Sequence, residues 1–206
     1  AVDDPLGVVT PEYNDYFDDK WNNETFPLTI HTTTVQMSIQ DTVDQAGANT
    51  IIVIPKGVYQ ESVVINKPLI IVGESGDETI IEPPGGQPAF RATSSGVTIY
   101  HLTVRGSAGY GIELVDVSTN SLKNMLIRKV SFENNALGGV LVEGLIPGSP
   151  VDYTLENNTF IGGQYGVRLN ILEEQAITSI IRNNLFSGQL AIPIKIDSTT
   201  DGGVEY

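Results

Sequence analysis

The chain of 206 residues contains no cysteine, so neither a disulfide framework nor a thiolate metal site is available to it. Its only histidines, His31 and His101, are too few for a multi-histidine metal centre. Basic residues are scarce, 11 against 25 acidic ones, and the formal net charge of −14 makes nucleic acid an unfavourable partner. No apolar run approaches the roughly 18 residues that cross a bilayer, so no membrane span is expected. Stability must come from packing.

The first residues carry neither an initiator methionine nor a basic stretch ahead of an apolar one. A chain that opens Ala-Val-Asp-Asp-Pro is what removal of a signal peptide leaves, and we therefore expect a secreted, extracellular or cell-surface protein. Asn23, in the sequon Asn-Glu-Thr, is a candidate site for N-glycosylation. A second sequon begins at Asn157, where a turn is expected, and we interpret it as structural.

A repeat of 28 residues runs through the second half of the chain. Large apolar residues recur at an anchor position and at fixed offsets from it. The anchors are Val104, Phe132, Phe160 and Phe186; five positions earlier stand Ile99, Ile127, Leu155 and Ile181, and nine or ten positions later stand Leu114, Val142, Leu169 and Ile196. Because two β-like pairs and a turn recur on each pass, the repeat predicts stacked coils of a solenoid.

Composition divides the chain into three parts. Residues 1–34 form an acidic arm without strand or helix period. Its aromatic residues, which predict docking either on its own domain or on a neighbouring subunit, are Tyr13, Tyr16, Phe17, Trp21 and Phe26. Residues 35–196 are expected to form the solenoid, and residues 197–206 a polar tail.

A short amphipathic helix is predicted at the start of the solenoid, over residues 34–47, because Val35, Ile39, Val43 and Ala46 fall on one helical face. It is placed to cover the first coil. Short strands separated by turns rich in Pro, Gly and Asn follow the helix. They are predicted at Ile51–Pro55, Ser62–Ile65, Leu69–Val72, Thr79–Ile81 and Ala89–Ala92, before the regular coils begin at Val97.

Asparagine replaces apolar residues at one position of the later coils. Two positions before the anchor, Leu102 and Val130 give way to Asn158 and Asn184. Amides at equivalent turns of stacked coils can bond to one another and to the turn backbone. Asn158 and Asn184 are therefore predicted to form a structural ladder along the axis.

Several other polar and small residues are interpreted as turn residues. His101 occupies the position that Lys129, Asn157 and Asn183 take in later coils. The pairs Gly138-Gly139 and Gly162-Gly163 are predicted to be turn glycines, because no helix follows them to receive a phosphate.

The opening of the solenoid carries a family resemblance. From Ile51 to Glu61 the sequence reads Ile-Ile-Val-Ile-Pro-Lys-Gly-Val-Tyr-Gln-Glu, with a G-x-Y-x-E element at Gly57, Tyr59 and Glu61. This stretch resembles the opening of parallel β-helix proteins of the pectin lyase-like superfamily, which includes pectin methylesterases. The resemblance implies an all-β fold, a right-handed parallel β-helix, here of about seven coils with an N-terminal capping helix and an irregular arm.

The resemblance does not extend to the catalytic motifs. Esterases of this superfamily use two aspartates, one in a Gln-Asp-Thr element and the other in Asp-Phe-Ile-Phe-Gly. The corresponding stretches here, Asn134–Gly138 and Asn157–Gly162, contain asparagine, which cannot exchange a proton as a carboxylate does. No catalytic residue is therefore assigned. No cofactor is expected either, with calcium left open because Glu113 and Asp116 could lie near Glu143 on the next coil.

Three functions remain open at this point. The first is a non-catalytic extracellular structural subunit, a homo-oligomer that assembles end to end into a fibre or surface layer through its coil ends and its arm. The second is a secreted β-helix protein that binds or processes polysaccharide, as a lyase or hydrolase would. The third is an accessory domain of a larger protein.

Overall fold

The computed structural model describes residues 30–32, 38–117, 122–144, 150–172 and 177–199. One short helix and a series of strands follow one another along them. The elements are β1 (Ile30–Thr32), α1 (Ile39–Gln45), β2 (Thr50–Ile54), β3 (Gly57–Tyr59), β4 (Val63–Ile65), β5 (Leu69–Gly73), β6 (Thr79–Ile81), β7 (Phe90–Ala92), β8 (Thr98–Arg105), β9 (Tyr110–Asp116), β10 (Leu122–Glu133), β11 (Gly138–Gly144), β12 (Val151–Glu156), β13 (Thr159–Ile161), β14 (Tyr165–Leu172), β15 (Ile177–Arg182), β16 (Leu185–Ser187) and β17 (Ile192–Thr199).

All strand pairs between these elements are parallel, and they form two sheets that run along a solenoid. The first sheet follows the order β1-β2-β5-β8-β10-β12-β15, with the short strands β3, β6, β13 and β16 continuing it around each coil. The second sheet has six strands, in the order β17-β14-β11-β9-β7-β4. The predicted parallel β-helix is confirmed. The described residues form six coils, against the predicted total of about seven for the chain.

The 28-residue repeat is confirmed by the strand register. Phe132 lies opposite both Val104 and Phe160, and Phe160 lies opposite Phe186. The three phenylalanine rings stack nearly parallel, with neighbouring centroids 4.8 Å apart. This separation is the ordinary spacing of strands in a sheet, so the coil period itself sets the stacking distance.

Glycines stand where the phenylalanine rings need space. A Cβ atom on Gly139 would lie 2.4 Å from Cδ1 of Phe160, and one on Gly166 would lie 2.5 Å from Phe186. Gly138 and Gly139 are the first residues of β11, so the prediction that they are turn glycines is wrong. Gly162 and Gly163, in contrast, lie in a turn with φ of 70° and 77°. A close approach requires glycine and a left-handed turn favours it, and the sequence alone does not separate the two.

A left-handed residue bends each regular coil at one position. His101, Lys129, Asn157 and Asn183 have φ between 52° and 57°. His101 and Lys129 adopt this conformation inside β8 and β10, whereas Asn157 and Asn183 adopt it between strands, so His101 lies at a bend within a strand and not in a separate turn. Its ring also supports the bend, because Nε2 accepts a hydrogen bond from Gly76 N at 3.2 Å while Nδ1 lies 3.2 Å from the carbonyl oxygen of Gly73.

Helix α1 covers the first coil, as the amphipathic pattern predicts. Ser38 is its N-cap, and the Ser38 Oγ accepts a hydrogen bond from Asp41 N at 2.9 Å. Ile39, Val43 and Ala46 are buried against the core. The helix is shorter than predicted, and the earlier residue of the pattern, Val35, lies outside the described residues.

The G-x-Y-x-E element anchors this helix. The Glu61 carboxylate accepts hydrogen bonds from the backbone N–H groups of Ile39 at 3.1 Å and Gln40 at 3.3 Å. These are first-turn N–H groups that lack a partner inside the helix, and a negative charge favours that end. The Tyr59 hydroxyl donates to the Pro55 carbonyl oxygen at 2.9 Å and fixes the intervening turn.

We expect Glu61→Ala to lower the free energy of unfolding by about 2 kcal/mol, because two charge-assisted hydrogen bonds to the helix are lost. Denaturant unfolding followed by circular dichroism measures this change. Glu74→Ala is the matched control: this carboxylate accepts one exposed bond, from Lys56 N at 3.0 Å. Equal effects of the two substitutions would show that Glu61 does not anchor the cap.

Two elements extend beyond the predicted boundaries. Strand β1 lies within the segment predicted as an irregular arm, and it pairs with β2 through Ile30 opposite Ile51 and Thr32 opposite Val53. Three residues are too few to show a period, so a strand of this length is invisible in the sequence pattern. At the other end, β17 continues to Thr199, past the predicted limit of the solenoid at Ile196.

Candidate assembly site at the C-terminal coil

The last described coil leaves its inward-facing side chains open. Ile194 lies opposite Val167 and Ile196 opposite Leu169. Val167 and Leu169 are 0% and 4% exposed, whereas Ile194 and Ile196 are 36% and 63% exposed. Residues of the same two columns therefore pass from core to surface over a single coil, because no further described coil lies over them.

Further apolar side chains of the same coil are exposed. They are Ile180, Leu185, Leu190 and Ile192, of which Leu190 is 86% exposed. Among the described residues, most of the large exposed hydrophobic side chains lie in this coil, which we call the C-terminal coil (residues 177–199). A concentration of this kind is typical of an interaction surface, whereas single exposed hydrophobic residues are ordinary.

The C-terminal coil is also nearly neutral. Its charged residues are Arg182, Lys195 and Asp197, a formal charge of +1 against −14 for the whole chain. The Lys195 Nζ lies 3.1 Å from Asp197 Oδ1, and Arg168 Nε of the preceding coil lies 2.7 Å from Asp197 Oδ2. Burial acts to raise the pKa of the Asp197 carboxyl, but hydrogen bonds from Arg168 and Lys195 lower it below its ordinary value. Like-charge repulsion is therefore weak at this end.

The N-terminal end of the solenoid has a different character. Helix α1 closes the core there, and its outward residues Asp41, Asp44 and Gln45 are exposed. Lys67 Nζ donates to the carbonyl oxygens of Asp44 at 3.0 Å and Ala46 at 2.9 Å, so the end of the helix is tied down. Among the described residues, the first coil is covered by a helix with polar outward side chains, and the last coil exposes apolar side chains.

The two predicted ladder asparagines point into the solenoid. Asn158 is 1% exposed. Its Oδ1 accepts from Val130 N at 3.0 Å, and its Nδ2 donates to the Ile127 carbonyl oxygen at 2.9 Å. Asn184 makes the same pair of bonds one coil later, to Asn158 N at 2.9 Å and to the Leu155 carbonyl oxygen at 2.8 Å. The amides bond to the backbone of the preceding coil, so neither faces a ligand.

A third asparagine of the same kind was missed by the sequence reasoning. Asn135 is 2% exposed, accepts from Ser107 N at 3.0 Å and donates to the Val104 carbonyl oxygen at 3.1 Å. Within the coils the signal was the Asn-Asn doublet, at residues 134–135, 157–158 and 183–184. In these three doublets the first asparagine has φ between 53° and 55°, and the second bonds to the backbone of the previous coil.

The carboxylates considered for calcium are engaged in other contacts. Glu113 Oε2 lies 3.2 Å from Arg91 Nη1, and Glu143 Oε1 accepts a hydrogen bond from Asn170 Nδ2 at 3.2 Å. Burial raises the pKa of Glu113, the charge of Arg91 opposes this and the charge of Glu143 adds to it. Asp116 is buried. Within the described ranges, no group of three or more metal-ligating side chains comes together.

The arginines of the solenoid pair with carboxylates across coils. Arg105 Nε lies 2.7 Å from Glu82 Oε1. Glu156 lies between two arginines, with Arg128 Nε 3.3 Å from its Oε1 and Arg182 Nη2 2.6 Å from its Oε2. These pairs link neighbouring strands of a sheet, which is an ordinary structural arrangement.

The remaining predicted site residues lie outside the described residues. They are the arm aromatics Tyr13, Tyr16, Phe17, Trp21 and Phe26 and the sequon asparagine Asn23. In the part of the chain that the structure describes, no helix has the length and apolar character needed to cross a membrane.

Comparisons with known proteins return one structural likeness. No family model matches the chain, and no curated protein matches its sequence. The crystal structure of the pectin methylesterase from Aspergillus niger, in a deglycosylated form, is similar to the chain with a TM-score of 0.40 and 11% sequence identity, over 86% of each chain. The assignment of a parallel β-helix rests on the strand pairing described above.

Proposed function

We propose that the chain is a non-catalytic structural β-solenoid subunit of the extracellular space, and that it associates with other copies through its C-terminal coil. The exposure of inward-facing isoleucines at this coil is the observation on which the proposal depends. An open solenoid end combines unpaired strand edges with an apolar surface, and proteins either cap such an end or use it for association.

The partner that fits this surface is the same surface of a second copy. Helix α1 presents carboxylates at the opposite end, which would be desolvated without compensation against the isoleucines of the C-terminal coil. A two-fold axis places the apolar patch against itself and brings the edges of the final strands together. Growth into a fibre or layer then uses these tail-to-tail pairs as its unit, joined by a second contact at the N-terminal end.

We expect the purified chain to dimerise reversibly in sedimentation velocity over a concentration series. Ile196→Asp should weaken the dimer at least about tenfold, because the substitution places a charge in the contact. Since Ile196 is 63% exposed, folding should be retained, and circular dichroism checks this. Val58→Asp is the matched control: Val58, on β3 near the capped end, is 54% exposed and should tolerate the charge without effect.

Two results would contradict this proposal. A wild-type chain that stays monomeric at all concentrations would remove the assembly role and favour the polysaccharide-binding alternative. If instead Asp41→Lys and Asp44→Lys changed the association as strongly as Ile196→Asp, the contact would join opposite ends and the tail-to-tail geometry would be wrong.

A further inference from the structure

A second apolar cluster lies on the outside of the first sheet, separate from the core. Its members, which we call the outer face, are Ile51, Val53, Ile70, Val72, Tyr100 and Leu126. On β2 they alternate with the core residues Ile52 and Ile54. Because successive side chains of a strand point to opposite faces, the outer face points away from the solenoid interior.

The outer face is nevertheless buried. Its side chains are at most 8% exposed. In one outward column, Ile51, Ile70, Leu126 and Ile180 follow one another along the sheet, with threonines between them. Leu126 is 4% exposed, whereas Ile180 at the far end of the same column is 47% exposed. An outward side chain is exposed to solvent unless another part of the protein lies over it. The outward face of the sheet is therefore covered over the first four coils and uncovered at the last.

The strand sequences carry the same signature. All five residues of β2 and all five of β5 are buried, and both strands read as continuous apolar runs. Strands of a parallel sheet read this way when both of their faces are covered. In β12, a later strand of the same sheet, polar Asp152, Thr154 and Glu156 alternate with core residues. The change from continuous to alternating marks where the cover ends.

We propose that residues 1–29 of the same chain form this cover, with their aromatic side chains packed on the outer face. Strand β1 supports the assignment, because it brings the end of this segment to the edge of the same sheet, beside β2. The outer face spans four neighbouring strands, a width of roughly 14 Å that a segment of this length can cross several times.

The aromatic content of the segment matches the surface. Five aromatic residues in 14 positions supply the apolar area that such a face needs, and their rings lose little side-chain entropy when buried. The tether favours the same molecule over a neighbour, because a segment joined at the edge of the face is present there at millimolar effective concentration. The cover excludes the outer face as a polysaccharide-binding surface and leaves the C-terminal coil free for association.

Trp21 is the only tryptophan of the chain and therefore reports on this contact in the intact protein. We expect wild-type emission at the short wavelengths of a buried indole. Ile70→Asp should shift it to the red and raise the acrylamide quenching constant about threefold, while circular dichroism shows that the solenoid remains folded. Ile180→Asp, in the same outward column but exposed, should change neither value. Emission from a fully hydrated indole in the wild type would overturn the proposal.

The absence of cysteine allows a second test that does not depend on a charged substitution. Val72→Cys, on the outer face, is combined in turn with Tyr13→Cys, Phe17→Cys and Phe26→Cys, and each pair is treated with a short bis-maleimide. At least one pair should link within a single chain, and the corresponding pairs with Ile180→Cys should not. Links found only between chains, or none with Val72→Cys, would overturn the proposal.

Discussion

Phe160→Ala is expected to lower the free energy of unfolding by about 4 kcal/mol, because the substitution leaves a cavity in the centre of the solenoid. Phe160 is 1% exposed and stacks between Phe132 and Phe186, with both centroid separations at 4.8 Å. Gly139 packs against the Phe160 ring and has no side chain that could move into the cavity and fill it. Denaturant unfolding followed by far-ultraviolet circular dichroism measures the loss.

Phe186→Ala provides the matched control at the open end. The stacking contact is the same, but Phe186 is only partly buried and has a ring on one side. We expect roughly half the loss seen for Phe160→Ala, because less surface is removed from solvent and the remaining space opens to water. Equal losses would indicate that the C-terminal coil is covered in solution.

Asn158→Ala is expected to cost about 3 kcal/mol, because the Val130 N–H and the Ile127 carbonyl oxygen would be left buried without their partner. The substitution removes few apolar contacts, so this loss tests hydrogen bonding separately from packing. It is measured in the same unfolding experiment.

The neighbouring asparagine supplies the control for this prediction. Asn157 is exposed and has φ of 55°, a conformation that glycine adopts without strain. Asn157→Gly should therefore change the stability by only a few tenths of a kcal/mol. A loss of less than 1 kcal/mol for Asn158→Ala would mean that water replaces the amide.

The repeat made the coil register predictable. Each coil places its anchor over the previous one, so a contact in one coil recurs in the next and the spacing of Phe132, Phe160 and Phe186 already contains the pairing. The start of the solenoid was also predictable. Ile39 and Val43 share one face of the predicted helix, and the strand Thr79–Ile81 has the predicted bounds. Periodic burial leaves a periodic signal.

Features without a period could not be predicted in this way. Strand β1 is too short to show one. The position of Gly139 in a strand could not be predicted, because the lack of space for a Cβ atom there is apparent only when Phe160 of the next coil is in place. Side-chain contact between coils is a property of the stack, not of the segment.

The candidate site was predictable in location but not in detail. The hypothesis of assembly through the coil ends included the last coil, yet the exposure of Ile194 and Ile196 depends on which side chains turn inward. The outer face was not predicted. Its sequence signal is that β2 and β5 are apolar at every second position as well as at the core positions, whereas β12 alternates apolar and polar residues. The docking of the arm aromatics stays a prediction, because these residues lie outside the described part of the chain.

The contrast between a capped first coil and an uncovered last coil gives the molecule a direction of unravelling. Each inner coil is stabilised chiefly by its two neighbours, whereas the last described coil packs on one described neighbour, so we expect local unfolding to begin there and to travel toward the helix. A partner bound to the C-terminal coil would therefore protect the coil at which unfolding is expected to begin. If copies associate as proposed, occupancy of this end would lengthen the lifetime of the folded chain.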